Sequence, residues 1–145
     1  MLSSEEERKL QEFGIHAVFL PHGFSVPQFT YRKPKYLFEK KANIFFSGSN
    51  YRDEETFFYI VEQMRSLRPD IMFHAVGQCS DWKKRMSSME NITVYPFLSD
   101  DYYSLLSKCD YNFLPLTFAT ANNALLEAQA LGITSILPKI SGNEK

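Results

Sequence analysis

Short apolar runs alternate with longer segments of mixed polarity from residue 43 to the carboxyl end of the chain. The runs are rich in branched and aromatic residues, as is typical of buried strands. The intervening segments have the length of helices, and each begins near an acidic residue, Ser or Asn that can cap a helix. Such alternation indicates strand–helix–strand crossovers around a parallel sheet. The pattern predicts an α/β fold with a Rossmann-like open parallel sheet and helices on both faces.

This part of the chain is predicted to contain five strands and four helices. The predicted strands are Ile44–Ser47, Ile71–Val76, Ile92–Tyr95, Tyr111–Leu114 and Thr134–Leu137. The predicted helices lie near Asp53–Arg65, Ser80–Met86, Asp100–Ser107 and Asn122–Leu131. Residues 138–145 provide no helix to cover the sheet after its fifth strand, so we expect a domain that is truncated at its carboxyl end.

The first part of the chain follows a different pattern. Ser4 followed by Glu7 forms a capping box, which predicts a short helix that ends near Phe13–Gly14. The apolar run Ile15–Leu20 stops at a Pro-His-Gly sequence and predicts a strand closed by a turn. Residues 25–41 carry prolines and basic residues without a helical period, as in a surface linker. We therefore divide the chain into residues 1–41, with helix, strand and linker, and residues 42–145, the Rossmann-like domain.

Composition excludes several classes of function. The chain has 145 residues, of which 44% are hydrophobic, so it is large enough for one ordinary core. Its 16 basic and 17 acidic residues give no electrostatic reason to bind nucleic acid or an anionic membrane. Cys79 and Cys109 lack metal-ligand or redox spacing, which favours reduced thiols in a cytoplasmic protein. The chain has neither an apolar run of about 18 residues nor the apolar core of a signal peptide.

Polar groups suited to a phosphate follow the first predicted strand. Gly48 permits close backbone approach, and Ser49 and Asn50 offer hydrogen-bond donors. Arg52 adds a guanidinium fork that matches phosphate oxygens. Because ligands of open α/β sheets bind beyond the carboxyl ends of the strands, this loop is a candidate anion site. A single glycine matches neither a dinucleotide fingerprint nor a P-loop, so a tight turn into a helix is the alternative.

The segment from residue 115 to residue 132 carries the strongest functional signal. A strand end leads through small residues into a helix, and the unpaired amides and dipole of a helix start favour an anion such as a diphosphate. Glu127 lies four residues after Asn123, on the same helix face, and leans toward the helix start. Its carboxylate can accept both hydroxyl protons of a ribose 2′,3′-diol. The alternative is an exposed helix acid beside a packing stripe that includes Ala124 and Ala128.

The sequence NNALLEAQALGI at Asn122–Ile133 resembles the nucleotide-binding helix of retaining GT-B glycosyltransferases of the group 1, family 4 type. Four other segments are less specific but follow in the same order. They resemble the interdomain hinge, the first strand with its glycine loop, the end of the second strand, and the base-side loop with the next strand: Leu20–Phe24, Ile44–Ser49, His74–Gly77, and Val94–Phe97 with Leu105–Tyr111. The resemblance extends from about Gly14 to Gly142.

This resemblance implies that residues 42–145 form the C-terminal, donor-binding half of a GT-B fold. It implies a nucleotide-diphosphate sugar as ligand, such as a UDP- or GDP-sugar, with the ribose on Glu127, the diphosphate on the amides before it and Phe97 beside the base. Together with the first loop, the candidate donor site comprises Gly48, Ser49, Arg52, Phe97, Thr120, Ala121, Asn122, Asn123 and Glu127. No cofactor and no metal are expected, because helix amides and Arg52 would stabilise the leaving diphosphate.

Two departures from the family bear on the chemistry. The family often has a second acid eight residues before the ribose glutamate, facing the donor sugar, whereas this chain has Ala119 there. Donor-sugar contacts therefore do not carry over. The family also often places an arginine and a lysine on the diphosphate, whereas Ser49 and Glu54 or Glu55 lie near those places. Arg52 is the expected substitute.

Two other sets of residues are interpreted as structural. The three histidines have no spacing that would gather a metal: His16, His22 and His74. Five aromatic residues could stack on a nucleobase: Trp82, Tyr95, Phe97, Tyr102 and Tyr103. Because 15% of the chain is aromatic, core packing is the default for each, and Phe97 is the preferred stacker.

The sequence thus predicts a hexosyltransferase of bacterial type whose acceptor domain, at the N-terminal side, is missing from this chain. No catalytic base is visible, so we expect donor binding without appreciable turnover. Any membrane association would come from the full-length protein. One alternative is a non-catalytic nucleotide or sugar-phosphate binding module of the same fold. The other is a sugar-phosphate isomerase or mutase domain, which would bind a monophosphate and leave Glu127 without a ribose.

Overall fold

The computed structural model describes residues 4–20, 23, 41–99, 101–119 and 122–140. Its strands are β1 (Ala42–Ser47), β2 (Ile71–Val76), β3 (Ile92–Tyr95), β4 (Tyr111–Phe113) and β5 (Thr134–Ile136). Its helices are α1 (Ser4–Glu12), α2 (Glu54–Leu67), α3 (Ser80–Met86), α4 (Asp101–Lys108) and α5 (Asn123–Ala130). Each strand and helix predicted after residue 42 is therefore present, with differences only at its ends.

The five strands form one sheet in the order β3-β2-β1-β4-β5, and the neighbouring strands are parallel. From β1 the chain builds outward through β2 to β3, and then crosses to the other side of β1 to form β4 and β5. The direction of growth therefore reverses between β1 and β4. This arrangement confirms the predicted Rossmann-like α/β fold class.

Alternate residues of the central strand pack on opposite faces of the sheet. On one face, Phe46 stacks on Phe57 of α2 at 4.1 Å between ring centroids and on Trp82 of α3 at 5.7 Å. On the other face, Phe45 belongs to a buried cluster that includes Leu106 of α4 and Ala128 of α5. Helices thus cover both faces, and full burial of each large side chain contributes about 1.5–3 kcal/mol.

Side-chain caps define where two of the helices begin. The Asp53 carboxylate accepts from the amide of Thr56 at 3.0 Å and from its hydroxyl at 2.8 Å. These hydrogen bonds lower the pKa of Asp53, and the bond from the amide has the larger effect. Asn122 caps α5, because its side-chain oxygen accepts from the amide of Leu125 at 3.3 Å. Each cap occupies an amide that the helix itself leaves without a partner.

The N-terminal region partly departs from its prediction. Helix α1 ends as expected, since Gly14 has a φ of 74° and the amide of Ile15 bonds to Leu10 O at 3.0 Å. The predicted strand over residues 15–20 is wrong, because those residues form neither strand nor helix. An apolar run provides strand propensity, but a strand also needs a neighbouring backbone to pair with. The predicted turn at residues 21–23 and the linker over 25–41 lie almost entirely outside the described residues.

A hydrogen-bonded ladder connects three strands of the sheet. His74 on β2 lies 3.0 Å through Nε2 from Asn43 Oδ1 on β1, and 3.0 Å through Nδ1 from the hydroxyl of Tyr95 on β3. Since Asn43 Oδ1 can only accept, the ring donates from Nε2, and its Nδ1 accepts from Tyr95. Burial lowers the pKa of His74, so the neutral ring is the form that fits this position.

The ladder predicts that the free energy of unfolding depends on pH. The unfolded chain binds a proton at His74 near pH 6.5, while burial holds the folded-state pKa lower. The contribution of neutral His74 to the free energy of unfolding is therefore complete above about pH 6.5, and it is lost as the pH falls toward and through the folded-state pKa. Urea unfolding of the wild type and His74→Gln at about pH 7.5 and about pH 5.5 measures it. The wild type should lose more stability than the variant; equal losses would contradict the assignment.

Candidate functional site

A cleft of about 1010 Å³ opens at the edge of the sheet where the strands end. Its walls are the loops that follow β1, β2, β3 and β4, together with the first turns of α4 and α5. These loops surround the point where the order of the strands reverses, between β1 and β4. Loops that separate at such a reversal leave a crevice, which is where ligands of open α/β sheets bind.

The loop after β1 bends at Gly48, beside the end of β2. Gly48 has a φ of 71°, which favours glycine, and its amide donates to Val76 O at 3.1 Å. Arg52 folds back over the same loop and donates from Nε to Ser47 O at 3.1 Å and from Nη1 to Asn50 O at 3.2 Å. Burial lowers the pKa of Arg52. A guanidinium group remains charged in proteins, so the loop carries a fixed positive charge on the cleft wall.

Backbone hydrogen bonds connect this loop to the segment that follows β4. The amide of Asp53 donates to Pro115 O at 2.7 Å, and the amide of Thr117 donates to Tyr51 O at 2.9 Å. Among the described residues, Tyr51 is the one non-glycine residue with positive φ, at 55°. Such a conformation costs about 1–3 kcal/mol and persists where its surroundings enforce it. The two loops on either side of the strand reversal are therefore coupled.

Glu127 lies on α5 and faces the cleft with both carboxylate oxygens hydrogen-bonded. The hydroxyl of Tyr102 donates to Oε2 at 2.8 Å, and that of Tyr103 donates to Oε1 at 3.3 Å. Tyr102 also lies 3.2 Å from the hydroxyl of Ser47, at the end of β1. One chain of hydrogen bonds thus joins β1, α4 and α5. It fixes the direction of the carboxylate from two sides.

Both tyrosines remain hydrogen-bond donors over the ordinary pH range. Burial is the main cause that raises the pKa of Tyr102 well above its usual value, and the Glu127 carboxylate adds to the increase. Burial followed by the same carboxylate raises the pKa of Tyr103. Because an ionised carboxylate has about four lone-pair sites, two hydroxyl donors leave sites for further donors from a ligand.

The structure brings most of the sequence-predicted site residues to this one cleft. The members of that set that line it are Gly48, Ser49, Arg52, Phe97, Asn122, Asn123 and Glu127. Thr120 and Ala121 lie outside the described residues. Ala119, where the family often has an acid, is buried and lines the cleft too. Phe97 is 83% exposed, so its ring is available to a ligand.

Tyr102 and Tyr103 hold the Glu127 carboxylate through their hydroxyls. This role differs from the base stacking or core packing expected of them from the sequence. The Tyr102 ring packs edge-on against Phe45 at 5.3 Å. The available signal was the adjacent tyrosines in the first turn of α4, at the carboxyl edge of the sheet. No spacing in the sequence relates these tyrosines to a residue on α5.

The described residues were also compared with the requirements of a metal site, a disulfide bond and a membrane-spanning helix. Within those residues, no group of three or more His, Cys, Asp and Glu side chains is placed to hold a metal ion. Cys79 is exposed and Cys109 is buried, and neither forms a disulfide bond. No helix in the described part of the chain is long and apolar enough to cross a membrane.

Residues 41–145 match the family model of glycosyl transferases group 1. The chain belongs to this family. The matched range contains the glycine loop, both tyrosines and Glu127, and the match confirms the predicted relationship to group 1 glycosyltransferases. A comparison with curated protein sequences gives no significant match.

Solved glycosyltransferase structures share the fold at low sequence identity. The lipopolysaccharide outer core galactosyltransferase WaaB, in its apo form, is 17% identical with a TM-score of 0.69, over 94% of this chain and 41% of WaaB. A mutant of TarM from S. aureus, in a complex that contains UDP, is 11% identical with a TM-score of 0.69, over 96% of this chain and 29% of TarM. The pneumococcal O-GlcNAc transferase GtfA, in complex with UDP and GlcNAc, is 12% identical with a TM-score of 0.65, over 95% of this chain and 29% of GtfA. This chain spans less than half the length of these proteins.

The hydrogen bonds around Glu127 predict unequal effects of two similar substitutions. Tyr102→Phe removes the hydroxyl that contacts both Glu127 and the buried Ser47, so it should lower the free energy of unfolding by about 1–2 kcal/mol. Tyr103→Phe removes a longer hydrogen bond and should have a smaller effect. Urea unfolding of both variants measures the difference. An equal or larger loss in Tyr103→Phe would contradict the assigned network.

Proposed function

We propose that this chain is the donor-binding part of a glycosyltransferase and that its cleft holds the nucleotide diphosphate of a nucleotide-sugar donor. The glycosyl group would pass to an acceptor in the full-length enzyme. One observation carries the proposal. The Glu127 carboxylate is held by two hydroxyl donors in the cleft, one helical turn from the capped start of α5.

The ribose is assigned to Glu127. A carboxylate in a cleft is a poor neighbour for a phosphate but a good acceptor for a pair of vicinal hydroxyls. Glu127 already accepts two tyrosine hydroxyls, so its oxygens are oriented for this type of donor. A ribose diol can add to these contacts or replace that of Tyr103, whose hydrogen bond is the longer one.

The diphosphate is assigned to the start of α5 and to the loop after β1. The Asn122 cap occupies the amide of Leu125, so a phosphate would use the amides that precede Leu125. Across the cleft, Gly48 and Ser49 offer a close backbone approach, and Arg52 supplies the positive charge. The hydrogen bonds from these groups, and the attraction to Arg52, would become stronger as negative charge develops on the leaving diphosphate. They would therefore stabilise the transition state more than the ground state.

The base is assigned to the region beyond β3, where the exposed Phe97 ring lines the cleft. Every nucleobase presents a π-face, so a ring of this kind supplies affinity without choosing the base. The structures of TarM and GtfA contain UDP, which makes a uridine nucleotide the first probe. No metal is required in this scheme, and binding should persist in EDTA.

A binding module without transferase activity is the second candidate. Ala119 favours it, because an alanine cannot replace the acid that the family often presents to the donor sugar. The family match favours glycosyl transfer over a sugar-phosphate isomerase or mutase. Nucleotide binding is expected in both remaining cases, and transfer by the full-length protein distinguishes them.

Nucleotide binding should stabilise the folded chain in a manner that depends on Glu127. A nucleotide at 100 times its dissociation constant raises the free energy of unfolding by about 2.7 kcal/mol. Thermal unfolding with UDP, GDP and ADP should show this increase for one of them. Glu127→Gln should weaken binding of the ribonucleotide by about tenfold and abolish the preference over the 2′-deoxynucleotide, because the carboxylate contacts the diol.

The matched control is Glu62→Gln, which changes an exposed glutamate on α2 away from the cleft. It should leave both affinities unchanged. A Glu127→Gln variant that retains the full preference for ribose would contradict the ribose assignment. If no nucleotide shifts the unfolding temperature, the donor-binding proposal for this chain is wrong.

Arg52 should give nucleotide binding its dependence on ionic strength. The wild-type affinity should fall as salt is raised, because a guanidinium attracts the diphosphate and salt screens that attraction. In Arg52→Gln the affinity should be lower at low salt and nearly independent of salt. Titration calorimetry at two salt concentrations measures the slope, with Arg65→Gln, on the exposed side of α2, as control. An unchanged slope in Arg52→Gln would contradict its role.

A further inference from the structure

We propose that Tyr51 and Phe118 form the subsite for the donor's glycosyl group and hold it by stacking against its apolar face. This inference rests on the proposed nucleotide-sugar function. It assigns a binding site to two residues outside the family motifs, in the place where Ala119 leaves the family's usual acid missing.

The two rings belong to the same cleft as Glu127. Their centroids lie 5.6 Å apart with the planes at 65°, which is an edge-to-face pair. Tyr51 is 65% exposed and Phe118 is 49% exposed. The pair therefore presents aromatic surface to the cleft while its two members support each other.

Their place along the cleft follows from the order of the strands. Phe97 follows β3, Gly77 follows β2, Gly48 follows β1 and Phe118 follows β4, and all four line the cleft. Adjacent strands lie about 4.8 Å apart, so the ends of β3 and β4, from which the loops to Phe97 and Phe118 depart, are three spacings or about 14 Å apart. With the base at Phe97 and the diphosphate at Gly48 and the start of α5, the next group of the donor reaches Tyr51 and Phe118.

The backbone holds this aromatic pair in place at a conformational cost. Tyr51 has a φ of 55°, and its carbonyl accepts from both the amide and the hydroxyl of Thr117, at 2.9 and 3.3 Å. Thr117 immediately precedes Phe118, so these hydrogen bonds also fix the spacing of the two rings. A strained backbone that positions an exposed ring gains little from core packing. Such conformations cluster at ligand-binding sites.

The chemistry of the pair specifies the class of ligand group. An aromatic face is the negative part of the ring quadrupole and attracts polarised C–H groups. A pyranosyl ring has one face on which C–H groups cluster, whereas its hydroxyls point outward. The subsite lacks an acid at Ala119, which is 7% exposed, so it would select by shape and stacking rather than by a carboxylate.

Titration calorimetry on the 145-residue chain tests the subsite. The ligands are UDP and GDP, together with UDP-glucose, UDP-galactose, UDP-N-acetylglucosamine and GDP-mannose. The variants are Tyr51→Asn, which tolerates positive φ without the ring, and Phe118→Leu. For the sugar nucleotide that the wild type binds best, each variant should weaken affinity by about two- to tenfold. The affinity for the free nucleoside diphosphate should stay within about twofold of the wild type.

Tyr59→Ala is the matched control, because Tyr59 is an exposed aromatic residue on α2 outside the cleft. It should change neither affinity. Equal weakening of the sugar nucleotide and the free diphosphate would overturn the subsite, since the rings would then act only on the loop. Unchanged affinities would also overturn it and would indicate that the rings face another part of the full-length protein. A wild type that binds no nucleotide overturns the proposed function itself, and the subsite with it.

Discussion

The position of the cleft depends on the reversal of strand order between β1 and β4. The five described strands are parallel, so their carboxyl ends lie at one edge of the sheet, and the loops after β1 and β4 leave that edge on opposite sides of the reversal. The hydrogen bonds Asp53 N to Pro115 O and Thr117 N to Tyr51 O then join these two loops at their bases. A crevice remains above them, which the glycine loop, the start of α5 and the loop after β3 all reach.

Hydrogen bonds between different strands and helices hold the polar side chains of this crevice in place. Ser47, Tyr102 and Glu127 come from a strand and two helices, yet one chain of hydrogen bonds connects them. Burial keeps the tyrosine protonated, so it remains a donor to the carboxylate. In the proposed binding mode each part of the donor has a protein partner in the cleft. The base lies on Phe97, the ribose on Glu127, the diphosphate at the start of α5, and the glycosyl group on Tyr51 and Phe118. A charged diphosphate would be recognised in this scheme by the amides at the start of α5 together with Arg52.

Local sequence patterns predict most of this fold, because apolar runs determine its strands and capping residues determine where its helices begin. The apolar runs at Ile71–Val76 and Ile92–Tyr95 appear as strands with the predicted bounds, and Asn122 caps α5. The same reasoning failed at residues 15–20, since strand formation depends on a pairing partner that composition does not reveal. Glu127 and the glycine loop were predicted from spacing and resemblance. The partners of Glu127 were not, because Tyr102 lies 25 residues away and no periodicity relates separate helices.

Amide NMR during titration with UDP, GDP and ADP tests the central claim most directly, since a chain of 16.9 kDa gives resolved amide signals. We expect one nucleotide to shift the amide signals of Gly48 and Ser49, those at the start of α5 and those around Phe97, with little change on α1 and the exposed side of α2. Shifts confined to other surfaces, or the absence of any shift at high nucleotide concentration, would contradict a donor site in this cleft.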